Sequence, residues 1–333
     1  MLVSRRTILS LLPGGLLARL FAQCRPDAGS GILVDRLIDA HAESSMVAAA
    51  QRRTYTASAT VTLFSVPLVS RSGVGSGYAL VEQAASPGGT VISIQFGAGS
   101  YPESARGLNR LGLIHEVVLE QPAGRPRESA YYALMTTSPE TNLTQARRAV
   151  DTKSNVVPYV AAQGSGNCGV CSARIERMDL PPQYTWRNAD TLLRRLRAML
   201  ASWPPPVAGS GGAVTTFLYA IRRALADAQQ RTTADLFFNL KRFALATEKV
   251  RDPAMGRRFA DRKLVASADA VMRLNATLQD RVTGGKTPFR IWFEAGSAGP
   301  PLRFEYQARP FLRLAFEADV GAQAPAVPLA LKS

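Results

Sequence analysis

Histidine and cysteine are almost missing from this chain. Its 333 residues hold two histidines, His41 and His115, and three cysteines, Cys24, Cys168 and Cys171. That scarcity removes most metal and nucleophile chemistry, because zinc sites need four ligands from these residue types and their acidic partners. Also missing is any apolar run of the roughly 20 residues that a membrane helix needs. Gly73-Val74-Gly75-Ser76-Gly77 has glycine at every second position and a strand pattern behind it, so it lacks the spacing and the helix of a dinucleotide loop and reads as a flexible turn. Gly97-Ala98-Gly99-Ser100 lacks the flanking glycines of a nucleophile elbow. No residue is assigned to catalysis, to a metal or to a cofactor.

What the chain does have is basic charge. Forty Lys and Arg stand against 25 Asp and Glu, a net +15. Near the start, Ser4-Arg5-Arg6-Thr7-Ile8-Leu9 precedes an apolar stretch broken by Pro13-Gly14-Gly15. This resembles a bacterial twin-arginine export leader, with Arg5 and Arg6 as its motif and Arg19 as a late charge. The resemblance implies cleavage after Ala22, the export machinery as a partner and a periplasmic or extracellular location. Cys24 lies just beyond; a lipoprotein-type cut before it would tether the protein to a membrane, but Phe21 and Gln23 fit that cut poorly. Taking Arg5, Arg6 and Arg19 from +15 leaves +12 on the mature chain. An exported basic protein meets phospholipid headgroups and acidic glycans rather than nucleic acid.

Without the leader roughly 310 residues remain, enough for two domains or one large one. The expected organisation is a leader at 1–22, a flexible start at 23–31, an α+β region at 32–203, a Pro/Gly linker at 204–212, a C-terminal antiparallel β domain with one helix at 213–320 and a tail at 321–333. Helical spacing is read over Ile32–Ala50, Ser138–Val150, Asn188–Ser202 and Thr216–Gln229. Period-two alternation marks strands at Tyr55–Leu63, Tyr78–Glu82, Ile92–Phe96, Leu113–Glu120, Tyr131–Thr136, Val156–Ala162 and Ala173–Met178. Further strand patterns cover Leu236–Thr247, Lys263–Ala266 and Met272–Leu278. Three last strands alternate Phe289, Ile291 and Phe293 with Arg290, Trp292 and Glu294, then Leu302, Phe304 and Tyr306 with Arg303 and Glu305, then Leu312, Leu314 and Phe316 with Arg313 and Glu317. Each should have one packed and one wet face. The fold class is α+β, mainly curved antiparallel sheets packed on a few helices.

Thr287-Pro288-Phe289-Arg290-Ile291-Trp292-Phe293-Glu294 and Pro301-Leu302-Arg303-Phe304-Glu305-Tyr306 resemble secreted bacterial proteins of unknown function with a half-barrel like that of lipoprotein carriers. The resemblance implies a concave apolar face able to bind a ligand, and it transfers no active site.

Three motifs carry candidate chemistry. Cys168-Gly169-Val170-Cys171 has thiol-exchange spacing, but a Gly-rich turn before it and an alternating segment after it favour a hairpin-tip disulfide. Arg106 and Arg110, four apart, share one side of a helical turn and there could hold a carboxylate or phosphate, a solvent-facing loop being the commoner outcome. His115 and Glu116 adjoin on a strand and so point to opposite faces, which argues against a catalytic pair. The functional expectation is a non-enzymatic envelope protein that binds a lipid or another hydrophobic or anionic ligand, or that serves envelope assembly. The alternative is an exported thiol–disulfide or other enzyme using Cys168 and Cys171.

Overall fold

Alternation governs this chain, and among the described residues the computed structural model turns it into thirteen antiparallel strands. The structure describes residues 47–63, 66–86, 89–101, 111–122, 124–136, 155–165, 169–180, 185–189, 191–193, 215–238, 241–297 and 299–320. The first seven strands are β1 (Val47–Leu63), β2 (Val66–Ser86), β3 (Gly89–Ser100), β4 (Leu111–Glu120), β5 (Pro126–Thr136), β6 (Asn155–Ser165) and β7 (Gly169–Leu180). Six more follow: β8 (Arg231–Phe238), β9 (Lys241–Arg251), β10 (Val271–Asp280), β11 (Lys286–Glu294), β12 (Arg303–Arg309) and β13 (Leu312–Ala318). Helix α1 spans Phe217–Ala226 and α2 spans Pro253–Asp261.

The strands form one sheet in the order β7-β6-β5-β4-β3-β2-β1-β13-β12-β11-β10-β9-β8. It is two meanders joined where β1 pairs with β13, Tyr55 opposite Ala318 and Val61 opposite Leu312. Among the described residues β7 and β8 are its open edges. The sheet curls so far that Tyr131 of β5 meets Phe237 and Phe238 of β8 edge to face.

Helix α1 lies on the concave face. Its Ala220, Ala224 and Leu225 pack on Leu236, Leu245, Leu274, Leu278, Ile291 and Phe293 of β8 to β11. Tyr219, from the same helix, packs on Val81, Ile92, Ile94 and Val118 of β2 to β4. One amphipathic helix thus fills the concavity from both meanders. Beside it, Phe304 touches Tyr55, Phe96 and Phe316 and closes the seam between the two halves.

Several expectations are corrected. The helix expected at Ile32–Ala50 gives way to β1 from Val47, because pairing with β2 captures those residues; its earlier part lies outside the described residues. Leu236–Thr247 is two strands rather than one, β8 and β9 pairing Phe238 with Lys241. Lys263–Ala266 is no strand; it follows α2, with Lys263 in the left-handed region at φ 57°. Helix α2 itself was missed, although Asp252-Pro253 signals it: the Asp252 carboxylate accepts from the Met255 amide, and Pro253 occupies the first turn. The expected helix at Asn188–Ser202 begins earlier, in a 3-10 turn at Trp186–Asn188 capped by Thr185. Of its later residues, those described are helical at Ala189 and Thr191–Leu193. The helix expected at Ser138–Val150, the linker at 204–212 and the tail lie outside the described residues.

The Gly73–Gly77 run is not a turn but the interior of β2. A bulge shifts the register so that Ala57 faces Gly75 and Ser58 faces Ser72, with Gly73 at φ 69°. Gly75 lies where a Cβ would stand 2.3 Å from the Gly99 carbonyl oxygen of β3. The glycines therefore permit close strand approach rather than motion. Gly75→Ala is expected to cost about 1–3 kcal/mol through overpacking, read as a lower urea midpoint.

Candidate functional site

The outer face of the second meander carries the arginines that alternation sends away from α1. One row of directly paired residues crosses five strands: Arg231 of β8, Glu248 of β9, Asn275 of β10, Arg290 of β11 and Glu305 of β12. These line a groove of about 650 Å³, together with Arg273, Thr277, Gln307 and Arg313. The small or rigid residues Ala246, Thr277 and Pro288 line it among the long side chains. Four arginines and two glutamates leave the lining with two positive charges.

Part of that charge is engaged. Arg231 donates to Glu248 at 2.6 Å and Arg290 to Glu305 at 3.3 Å. Glu305 also receives Arg303, at 3.2 Å. Arg273 reaches Asp252 at 3.1 Å, yet its buried Nε has no hydrogen-bond partner among the described residues. Arg313 is half-buried between Gln307 and Thr60, its neighbours in the ladder, with no carboxylate opposite it.

Helix α2 is tied to the groove through its N-cap, Asp252, which accepts from Arg273. Phe259 packs with Trp292, Val271 and Leu302, so Trp292, expected on a wet face, is buried. Its indole N–H donates to Asp252 at 2.9 Å. Burial works against ionisation of Asp252, but the Trp292 N–H, the Met255 amide and Arg273 outweigh it and hold the carboxyl below the usual carboxylate range. Below the helix, Glu317 gathers Arg258, Arg262 and Arg303, the first at 2.7 Å and the last at 2.5 Å. These contacts fix the three guanidinium groups in place.

Two buried polar sites lie elsewhere. Inside the concavity Glu116 of β4 accepts from Thr216 Oγ1 at 2.5 Å and from the amides of Leu218 and Tyr219 at 2.9 and 2.8 Å. It caps α1 from a strand about a hundred residues away in sequence. Burial pushes its carboxyl up to about 7, with Thr216 and the first-turn amides pulling the other way. On the opposite face, His115 Nε2 meets Ser93 Oγ at 3.1 Å and its ring stacks on Tyr132. Each of Ser93 and His115 is 1 % exposed. A serine so buried offers its hydroxyl to no substrate, and the contact serves packing. His115 and Glu116 do face opposite ways, as alternation requires.

Of the residues singled out from sequence, Arg5, Arg6, Cys24, Arg106, Arg110 and Cys168 lie outside the described residues; Cys171 lies on β7. The groove arginines carried a signal, alternation in the last three strands, but only strand pairing sets them side by side. Glu116 carried none, because its partners are distant in sequence. Among the described residues no group of three or more His, Cys, Asp or Glu is placed to hold a metal ion. No helix among them is long and apolar enough to cross a membrane. Compared with known proteins, the chain matches no family model, no curated protein and no solved structure.

Proposed function

We propose that this chain is a non-catalytic binding protein of the bacterial cell envelope, exported through its twin-arginine leader, and that it holds an anionic ligand in the outer arginine groove. The observation that carries the reading is the convergence of Arg231, Arg273, Arg290 and Arg313 on one groove whose two glutamates do not neutralise them. Guanidinium groups already oriented by Glu248, Asp252 and Glu305 lose little freedom when they meet a phosphate or carboxylate. The open, curved antiparallel sheet around α1 is consistent with a half-barrel like that of lipoprotein carriers. Here α1 and aromatic side chains occupy the concave face, so an apolar guest there would have to displace them. That favours the headgroup of a lipid or an acidic glycan, bound outside, over a buried acyl chain. Thiol chemistry at Cys168 and Cys171, the alternative, rests on sequence spacing alone.

Titration calorimetry with glycerol 3-phosphate tests the reading. Saturable binding is expected, weakened by salt. Replacing Arg290 and Arg313 together by glutamine should reduce affinity about tenfold or more, since a hydrogen bond to a charged group contributes about 1.5–3 kcal/mol. No binding by the wild-type chain, or equal binding by the variant, would sink the groove as a site.

A further inference from the structure

Strand β8 ends the sheet, and its ladder to β9 runs without a bulge from Arg231 opposite Glu248 to Phe238 opposite Lys241. Two hydrogen bonds fix which of its backbone groups face which way. The Phe237 amide donates to the Thr215 carbonyl, away from β9, whereas the Gln230 carbonyl accepts from Lys249 of β9. Backbone groups alternate sides along an antiparallel strand, so Arg231, Thr233 and Asp235 turn both N–H and C=O outward. Among the described residues no strand pairs with those groups, and all three residues are exposed. The Thr215 contact at Phe237 and a bend at Gln230 bound this free stretch. An open edge invites another strand, and proteins usually block it with proline, lysine or a bulge. β8 has none of the three.

Charge says which strand fits. Arg231 and Asp235 stand symmetrically about Thr233, and alternation puts all three on the outer face that carries the groove. A second copy running antiparallel about Thr233 sets each Arg231 opposite the other copy's Asp235. A parallel copy would oppose like charges, and an antiparallel copy slipped by two residues would part the pairs. Both side chains are largely exposed, Arg231 at 79 % and Asp235 at 64 %. Both are also engaged within the chain, and each keeps an atom for a further contact. Arg231 gives Nε and Nη2 to Glu248 Oε1, and its Nη1 has no partner among the described residues. Arg281 approaches Asp235 through Oδ1 alone, its Nε at 3.0 Å, which leaves Oδ2.

We propose that the chain pairs with a second copy of itself through β8, edge to edge and antiparallel, with Thr233 at the two-fold axis. The pairs Arg231–Asp235, Thr233–Thr233 and Asp235–Arg231 then exchange two hydrogen bonds each, and the sheet continues from one copy into the other. The row Arg290, Asn275, Glu248 and Arg231 gains the second copy's Asp235 at its end. So short a contact makes a weak dimer rather than a permanent one. The inference rests on the geometry of the edge and stands whether or not the groove holds an anion.

Sedimentation equilibrium tests it. The full chain should dimerise reversibly and dissociate on dilution through the micromolar range. Thr233→Pro removes an outward N–H and no bond to β9, so it should melt as the wild type does and dimerise about tenfold or more weakly. Asp235→Arg opposes two arginines in each pair and Arg231→Asp opposes two acids, so either alone should weaken the dimer about tenfold or more. The combined exchange Arg231→Asp, Asp235→Arg restores opposite charges and should dimerise at least about fivefold more tightly than either single variant. These charge variants decide the matter even if the proline unfolds the chain. Independently, the Thr233 and Asp235 amides should resist hydrogen exchange at high protein concentration and lose that protection on dilution. A chain monomeric at every concentration overturns the proposal, whether its edge stays bare or takes up an unrelated extended peptide. So does a dimer unmoved by a folded proline variant, or an exchange variant no tighter than its parents. A dimer whose Thr233 and Asp235 amides exchange freely is formed by another surface and overturns it as well. Thr233 does not line the groove, so dimerisation and glycerol 3-phosphate binding are read separately and their failures are distinct.

Discussion

Replacing Glu116 by alanine should cost about 3–5 kcal/mol of stability at pH 5, one of the two largest effects expected of a single substitution here. The carboxyl is 0 % exposed and satisfies Thr216 Oγ1 and two first-turn amides of α1. Alanine leaves those donors buried without partners and opens a cavity under the helix that fills both meanders. The pH dependence has a definite sign. The folded-state value, about 7, lies above the ordinary 4.5. Between those values the folded chain keeps a proton that the unfolded chain releases, so stability from this group is full below about pH 4.5 and is lost as pH rises to about 7. At about 1.4 kcal/mol per pH unit the loss approaches about 3 kcal/mol. Urea unfolding from pH 5 to 8 should show that decline in the wild type. Glu116→Gln carries no titrating proton and should remove it, although one oxygen in place of two leaves a first-turn amide of α1 unmatched at every pH. A wild-type profile no steeper than that of the glutamine variant would contradict the assignment.

Tyr55→Ala should cost a similar amount, about 3–5 kcal/mol. Tyr55 is fully buried on β1, the strand that pairs with both β2 and β13, and its ring meets Phe304 at 5.5 Å. Its hydroxyl donates to the Pro301 carbonyl at 2.8 Å, and burial raises the phenol's pKa well above its ordinary value. Truncation therefore removes an aromatic anchor and orphans a carbonyl at the seam between the seven-strand and six-strand meanders. Tyr55→Phe isolates the hydrogen bond and should cost only about 1 kcal/mol. Urea unfolding of the three proteins separates these contributions; a loss in the alanine variant no larger than in the phenylalanine one would mean the ring packs no core.

Strand positions were legible because a half-buried strand repeats every two residues whatever it pairs with. Phe289, Ile291 and Phe293 face α1 as their alternation with Arg290 and Trp292 demands. What failed depended on neighbours. Gly73 to Gly77 looks like a turn unless β3 is known to press against it. Trp292 looks solvent-facing until α2 covers it. That helix has little apolar periodicity to show, and its signal is confined to the cap, Asp252-Pro253. The site was less legible than the fold. Of the residues chosen for local spacing, Arg106, Arg110 and Cys168 lie outside the described residues, and Cys171 of β7 does not line the groove. Arg231, Arg273, Arg290 and Arg313 are far apart in sequence and adjacent only through the ladder.

By itself, then, the sequence determined a basic chain, poor in metal-ligating residues and dominated by antiparallel strands with one apolar face. Composition and period are local quantities, and burial reads them directly. Only the tertiary structure decided that β1 pairs with β13, that Glu116 caps α1 across about a hundred residues, and that the arginines share one groove. Those outcomes are contacts between distant segments, and pairing register and sheet curvature, which no local pattern encodes, bring them together.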